Sequence, residues 1–129
     1  MNVPEGLQYT SEHEWIRVQD NIATIGITDH AQSELGDIVY VEVDTVDEEI
    51  VKDEVFGSVE AVKTTSDLFM PVSGKVIEFN DNISEDGEDN PALINEDPYG
   101  EGWIIKVEIQ DMEELKTLLS SDEYKNLIA

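Results

Sequence analysis

The 129-residue chain contains no cysteine and only seven basic residues. Without thiols there is no structural disulfide, no thiolate zinc site and no cysteine nucleophile. That absence fits a reducing compartment. Seven Lys+Arg against 31 Asp+Glu leaves a net charge of −24. Nucleic acid is close to excluded as a partner, because binding it depends on cations that displace counterions. Anionic membrane surfaces are excluded by the same physics. Long apolar runs are missing too, and the longest falls far short of the ~20 residues of a membrane helix. Met1-Asn2-Val3-Pro4-Glu5 has neither a basic nor an apolar stretch. No secretory or transit peptide is expected in these residues. What the charge favours is basic protein partners, since complementary fields speed encounter.

The hydrophobic pattern that is present has a period of two. Trp103, Ile105, Val107 and Ile109 fall on one face of a strand, opposite Lys106 and Glu108. Val39, Val41 and Val43 alternate with Tyr40 and Glu42, and Val55, Gly57, Val59 and Ala61 alternate with Phe56, Ser58, Glu60 and Val62. Residues 22–27 and 76–79 read as further strands. Short strands joined by Gly, Asn, Asp and Pro turns predict a mainly β single domain over 1–129, a sandwich or barrel.

Helices are few. Thr28 or Asp29 caps a short helix near 29–35, with Gly36 as its stop. Asp111 and Glu114 read as a capping-box variant opening a helix over 112–119, and Ser120 and Glu123 repeat the signal before a last turn. These C-terminal helices, about 111–128, are expected to form one amphipathic hairpin on the sheet. The acidic stretch 81–90 (DNISEDGEDN) fails the EF-hand spacing. Gly87 comes one place late, and Ile83 stands where a ligand belongs. It reads as a solvated loop.

With so few cations, each is informative by position. Lys63 sits in Glu60-Ala61-Val62-Lys63-Thr64-Thr65-Ser66-Asp67, between two strand-like runs, and Pro71-Val72-Ser73-Gly74 makes the next turn. Two readings stand on the residues alone. One is an exposed turn lysine in a weak salt bridge. The other is an amine presented for acylation, which would remove its charge and add a long arm.

The segment 60–74 resembles the attachment hairpin of lipoyl and biotinyl carrier domains. Three further stretches resemble the motifs of glycine cleavage system H proteins: Tyr9-Thr10-Ser11-Glu12-His13-Glu14-Trp15; Gly26-Ile27-Thr28-Asp29-His30-Ala31-Gln32 with Leu35-Gly36-Asp37-Ile38-Val39; and the run from Asn90-Pro91-Ala92-Leu93 to Gly102-Trp103. They cover nearly the whole chain in order. The sequence departs from the family at Val43-Asp44-Thr45-Val46-Asp47, where a Leu-Pro turn is common, and at Thr64, where a small residue is common.

The resemblance implies a flattened β-barrel or sandwich of two antiparallel sheets with lipoate amide-linked to Lys63 on a hairpin turn. It implies a non-catalytic carrier that takes an aminomethyl group from glycine decarboxylase (the P protein) to aminomethyltransferase (the T protein). Dihydrolipoamide dehydrogenase (the L protein) then reoxidises the dithiol, and a lipoate ligase or a lipoyl or octanoyl transferase installs the arm. A cytoplasmic monomer is expected, or a mitochondrial-matrix protein in a processed eukaryotic form, with no metal. A sheltered aminomethyl ammonium needs an acceptor. Glu14 and Asp67 are the candidates, with Glu12 behind them. His13 and His30 have no catalytic third member beside them and read as structural or interface residues. Trp15, Trp103 and Tyr99 read as core or groove walls, one of them against the lipoyl chain. Competing readings are a lipoate-relay protein with the same motifs, a biotinyl carrier, and an acidic interaction domain never acylated at Lys63.

Overall fold

The computed structural model describes residues 2–129. Among these residues nine strands form two antiparallel sheets. The larger contains β1 (Gln8–Tyr9), β2 (Glu14–Gln19), β3 (Ile22–Ile27), β5 (Glu49–Ile50), β8 (Gly74–Phe79) and β9 (Ile105–Ile109), in the order β1-β2-β3-β9-β8-β5. The smaller is β4 (Ile38–Glu42), β6 (Val55–Ala61) and β7 (Thr65–Phe69), in the order β4-β6-β7. Each sheet keeps two free edges, so the expected barrel-or-sandwich is a sandwich and not a closed barrel. Its core joins Ile25, Val76 and Val107 of the large sheet to Val41, Val59 and Leu68 of the small one. A second, smaller core gathers Val3, Tyr9, Trp15 and Tyr124.

Two of the alternations read from sequence are broken by bulges. In β4 the register shifts between Ile38 and Tyr40, so Ile38 and Val41 are buried while Val39 is exposed. In β6 it shifts between Val55 and Gly57, so Phe56 is buried and Val55 is exposed. One inserted residue reverses which parity faces the core. Trp103 lies before β9 and packs on the second core, while Ile105, Val107 and Ile109 hold the expected face.

Helix α1 (Asp29–Leu35) is capped by Thr28, whose Oγ1 accepts from Ala31 N at 3.1 Å, and Gly36 closes it at φ +80°. A short α2 (Leu93–Glu96) precedes β9. Between 111 and 128 the expected pair of helices is a 3-10 turn, Met112–Thr117, and α3 (Ser121–Ile128). The capping box predicted at Ser120 and Glu123 forms. The one predicted at Asp111 does not close. Its Glu114 carboxylate instead accepts from Ser73 N at 2.7 Å and Ser73 Oγ at 3.1 Å, tying this turn to the 71–74 turn. In loop 81–90, Ile83 is buried as the anchor and the backbone bonds to itself, as in Glu88 N to Asp81 O.

Gly26 is required by a close approach. A Cβ there would stand 2.7 Å from Trp15 Nε1, which donates to Pro98 O at 2.9 Å. Gly26→Ala is expected to destabilise the fold by about 2–4 kcal/mol, the sum of overpacking and a strained hydrogen bond. Urea denaturation checks this, and a change below about 0.5 kcal/mol would mean the indole relocates freely.

Candidate lipoyl hairpin and carboxylate cavity

Ala61 N donates to Thr64 O at 2.7 Å, leaving Val62 and Lys63 as the two tip residues of the β6–β7 hairpin. Neither has a positive φ, so the turn is not one of the primed types that match strand twist unaided. It is braced from outside. Val62 N donates to Asp37 O at 3.0 Å, in the turn between α1 and β4. That turn is held in place by Asn95, whose Oδ1 accepts from Ile38 N at 2.9 Å and whose Nδ2 donates to Gly36 O at 2.8 Å. Sequence reasoning missed Asn95 as a support for the hairpin, although it lies inside the 90–103 motif. Thr64 takes part through its carbonyl only, which accounts for the tolerated departure at that position.

Lys63 is exposed, and Val62 beside it is 76% exposed. The Lys63 stem passes over Gly36, where a Cβ would lie 3.5 Å from Lys63 Cε. Among the described residues Lys63 makes no ion pair, so the salt-bridged turn lysine is not what the structure shows. Lys52, Lys106 and Lys116 each have a carboxylate within 4 Å, and Arg17 stacks on Trp15.

The second half of the site is a cavity of about 180 Å³. Its walls come from residues 9–12 and Glu14, from Lys52 and Asp53, from Phe69 and Met70 at the end of β7, and from residues 117–119. Glu14 is only 2% exposed. Its Oε1 accepts from Thr10 Oγ1 at 2.7 Å and its Oε2 from Phe69 N at 3.2 Å. Burial pushes the Glu14 carboxyl up to about 7, with the negative charges of Glu12 and Asp53 adding to it and the two hydrogen bonds opposing it. No cation lies within 4 Å of Glu14 among the described residues. A buried carboxylate of this kind is held ready for a positive guest or a proton.

Glu12 lines the same cavity from its exposed rim. Asp67 does not line it. It is exposed on β7, opposite Ser58, with the side-chain parity of Phe69. The alternation along the strand puts Leu68 in the core and Asp67 out. Trp15, Trp103 and Tyr99 are absent from the cavity walls, and its aromatics are Tyr9 and Phe69. Sequence reasoning also missed Lys52 and Asp53, which reach the cavity only through the β5–β6 connection. His13 and His30 pack against each other at 4.9 Å between ring centroids.

The family model for the glycine cleavage H-protein matches residues 7–129. The chain belongs to the glycine cleavage H-protein family. A glycine cleavage system H protein from Staphylococcus haemolyticus is 53% identical over 128 residues, covering 99% of this chain and 98% of that protein. One from Staphylococcus epidermidis is 48% identical over the same length and coverage. The crystal structure of a glycine cleavage system H protein from Mycobacterium marinum superposes with a TM-score of 0.85 at 38% identity, covering 96% of this chain and 97% of that one. Membership of this family sets aside the biotinyl-carrier reading.

Proposed function

We infer that this chain is the lipoate-bearing carrier of the glycine cleavage system, a non-catalytic subunit with the cofactor amide-linked to Lys63 Nζ. The observation that carries this is Lys63 itself, exposed at a braced two-residue hairpin tip. The residues fit the group. Six strand steps from Lys63 to Phe69 span on the order of 20 Å, so the lysine's own stem cannot reach Glu14 and only a long acyl arm can. When attached, lipoate supplies a dithiolane that takes up a one-carbon fragment on sulfur and is restored by oxidation.

The chain's own residues then shelter the cargo. Glu14, itself buried, accepts the ammonium end of an aminomethyl group in the cavity through a charge-assisted bond. Glu12 adds negative charge at the cavity rim, Asp53 is paired there with Lys52, and Asp67 stands along the track between Lys63 and Glu14. The carrier exchanges this cargo with the P and T proteins and is reoxidised by the L protein, working as a cytoplasmic monomer.

Incubation with a lipoate-attaching enzyme is expected to add one lipoyl mass, mapped by peptide analysis to the Lys63 peptide. Attachment elsewhere, or none, would overturn the assignment.

Charge governs encounter. Screening at 0.15 M salt limits surface fields to about 8 Å, so attraction acts mainly on the rate of approach. Association with the decarboxylase is expected to slow steeply from low to high salt while dissociation changes little. Replacing Glu85, Asp86, Glu88 and Asp89, all exposed, by neutral residues is expected to flatten that slope. Stopped-flow measurement decides it, and an on-rate insensitive to salt would mean that the acidity serves solubility alone.

A further inference from the structure

Glu14 follows a residue in an uncommon conformation. His13 has φ +71°, in the left-handed region that costs a non-glycine residue energy unless its surroundings hold it. Its backbone is bonded on both sides, His13 N to Thr10 O at 3.2 Å and Thr28 N to His13 O at 3.0 Å, and its side chain is held from a distant element. His13 Nδ1 is 2.8 Å from the Tyr124 hydroxyl, which is also 2.8 Å from Thr28 Oγ1. Thr28 is fully buried and is the cap of α1, so it is itself immobile. Tyr124 sits on α3, fully buried, with its ring stacked on Tyr9 at 4.8 Å and 10°. Tyr9 lines the Glu14 cavity and pairs with Leu119 through two backbone bonds of 2.9 and 2.8 Å. One side chain of α3 thus touches both the residue before Glu14 and a wall of its cavity.

We propose that Tyr124 is a positioning residue for Glu14: its hydroxyl, anchored by Thr28, fixes His13 in the left-handed turn that directs the next carboxylate into the cavity. This rests on the reading of Glu14 as the ammonium acceptor for its functional meaning, though not for its geometry. The cluster is electrostatically connected as well. Burial raises the Tyr124 hydroxyl, and the Glu14 charge adds to that shift. Burial and the neighbouring His30 lower His13, with Glu12 and Glu34 pulling the other way. Glu14 itself is faced by Glu12 from its own segment and, across the cavity, by Asp53 with Lys52 beside it. A neutral His13 has a free choice of tautomer, so it can meet the hydroxyl as donor or acceptor.

Release of this turn would let water reach Glu14 and return its carboxyl toward ordinary values. The test follows the Glu14 side-chain carboxyl carbon by NMR through a pH titration of the unlipoylated protein. Tyr124→Phe keeps the stacked ring and removes the hydroxyl. Its Glu14 midpoint is expected to fall by about one pH unit or more. His13→Ala keeps the cost of a positive φ and loses the bond to the hydroxyl, and it is expected to shift the midpoint the same way. It decides the matter if Tyr124→Phe does not fold. Ile128→Ala weakens α3 packing alone and is expected to lower stability with the midpoint unmoved. A midpoint unchanged in the first two variants, or moved equally by Ile128→Ala, would overturn the proposal. Because no arm is present, these outcomes are independent of whether Glu14 receives an ammonium. That is read separately from the decay of the loaded carrier in Glu14→Gln.

Discussion

Lys63→Arg is expected to abolish cofactor attachment and with it all carrier activity, while leaving the fold intact. The guanidinium keeps the charge but offers no amine that forms a neutral acyl amide, and it stays protonated at any working pH. The tip is exposed and free of ion pairs among the described residues, so the replacement disturbs no packing and the effect on stability should stay within about 0.5 kcal/mol. Lys52→Arg and Lys75→Arg are the controls. Lys52 Nζ is engaged with Pro71 O at 3.1 Å, and Lys75 lies within β8 opposite Glu49 and Glu108. Both variants are expected to accept one lipoyl group at the wild-type rate. Intact mass after incubation with the attaching enzyme reads all three proteins in one experiment. Turnover by Lys63→Arg, or loss of attachment in either control, would place the arm elsewhere.

Glu14→Gln is expected to raise stability above neutral pH and at the same time to shorten the life of the aminomethyl-loaded form. The Glu14 carboxyl stands at about 7 in the folded protein against an ordinary 4.5. Between those values the folded state binds more protons than the unfolded chain, so stability falls as the pH rises through that window. At about 1.4 kcal/mol per unit, the buried charge costs on the order of 3 kcal/mol by pH 8. Glutamine removes the charge and retains both partners, its oxygen accepting from Phe69 N and its amide donating to Thr10 Oγ1. Urea denaturation should therefore show Glu14→Gln more stable by roughly 1–3 kcal/mol at pH 8 and little changed near pH 4. The loaded form should lose a charge-assisted bond worth about 1–3 kcal/mol, and so decay roughly 5- to 150-fold faster at pH 8. Equal stability differences at both pH values would mean that Glu14 titrates as an ordinary surface acid. Unchanged decay would mean that the cargo ammonium is held elsewhere.

Much of this molecule was open to local reading. The period-two strands, the Thr28 cap with Gly36 as its stop, the Ser120–Glu123 box and the Lys63 hairpin all depend on neighbours a few residues apart. Propensity, capping and turn chemistry act over that range. So does the charge of −24, which needs only counting. Family motifs added Glu14 and the cofactor. The tertiary structure decided what depends on residues far apart in sequence. Bulges at 38–40 and 55–57 reversed two strand parities, because they answer to the register with a partner strand. Glu114 left its own helix start for Ser73, 41 residues away. Asp67 shares the parity of Phe69 but lies one pleat repeat short of the cavity along β7, while Lys52 and Asp53 were brought to it by a connection between strands of different sheets. Tyr124 reached His13 across 111 residues. Sequence alone determined the family, since motifs in order need only residue identity, whereas spacing by itself left Lys63 between two readings. Which carboxylate is buried, and what aims it, was decided only by packing, because desolvation and hydrogen bonding depend on the surroundings that the folded chain assembles.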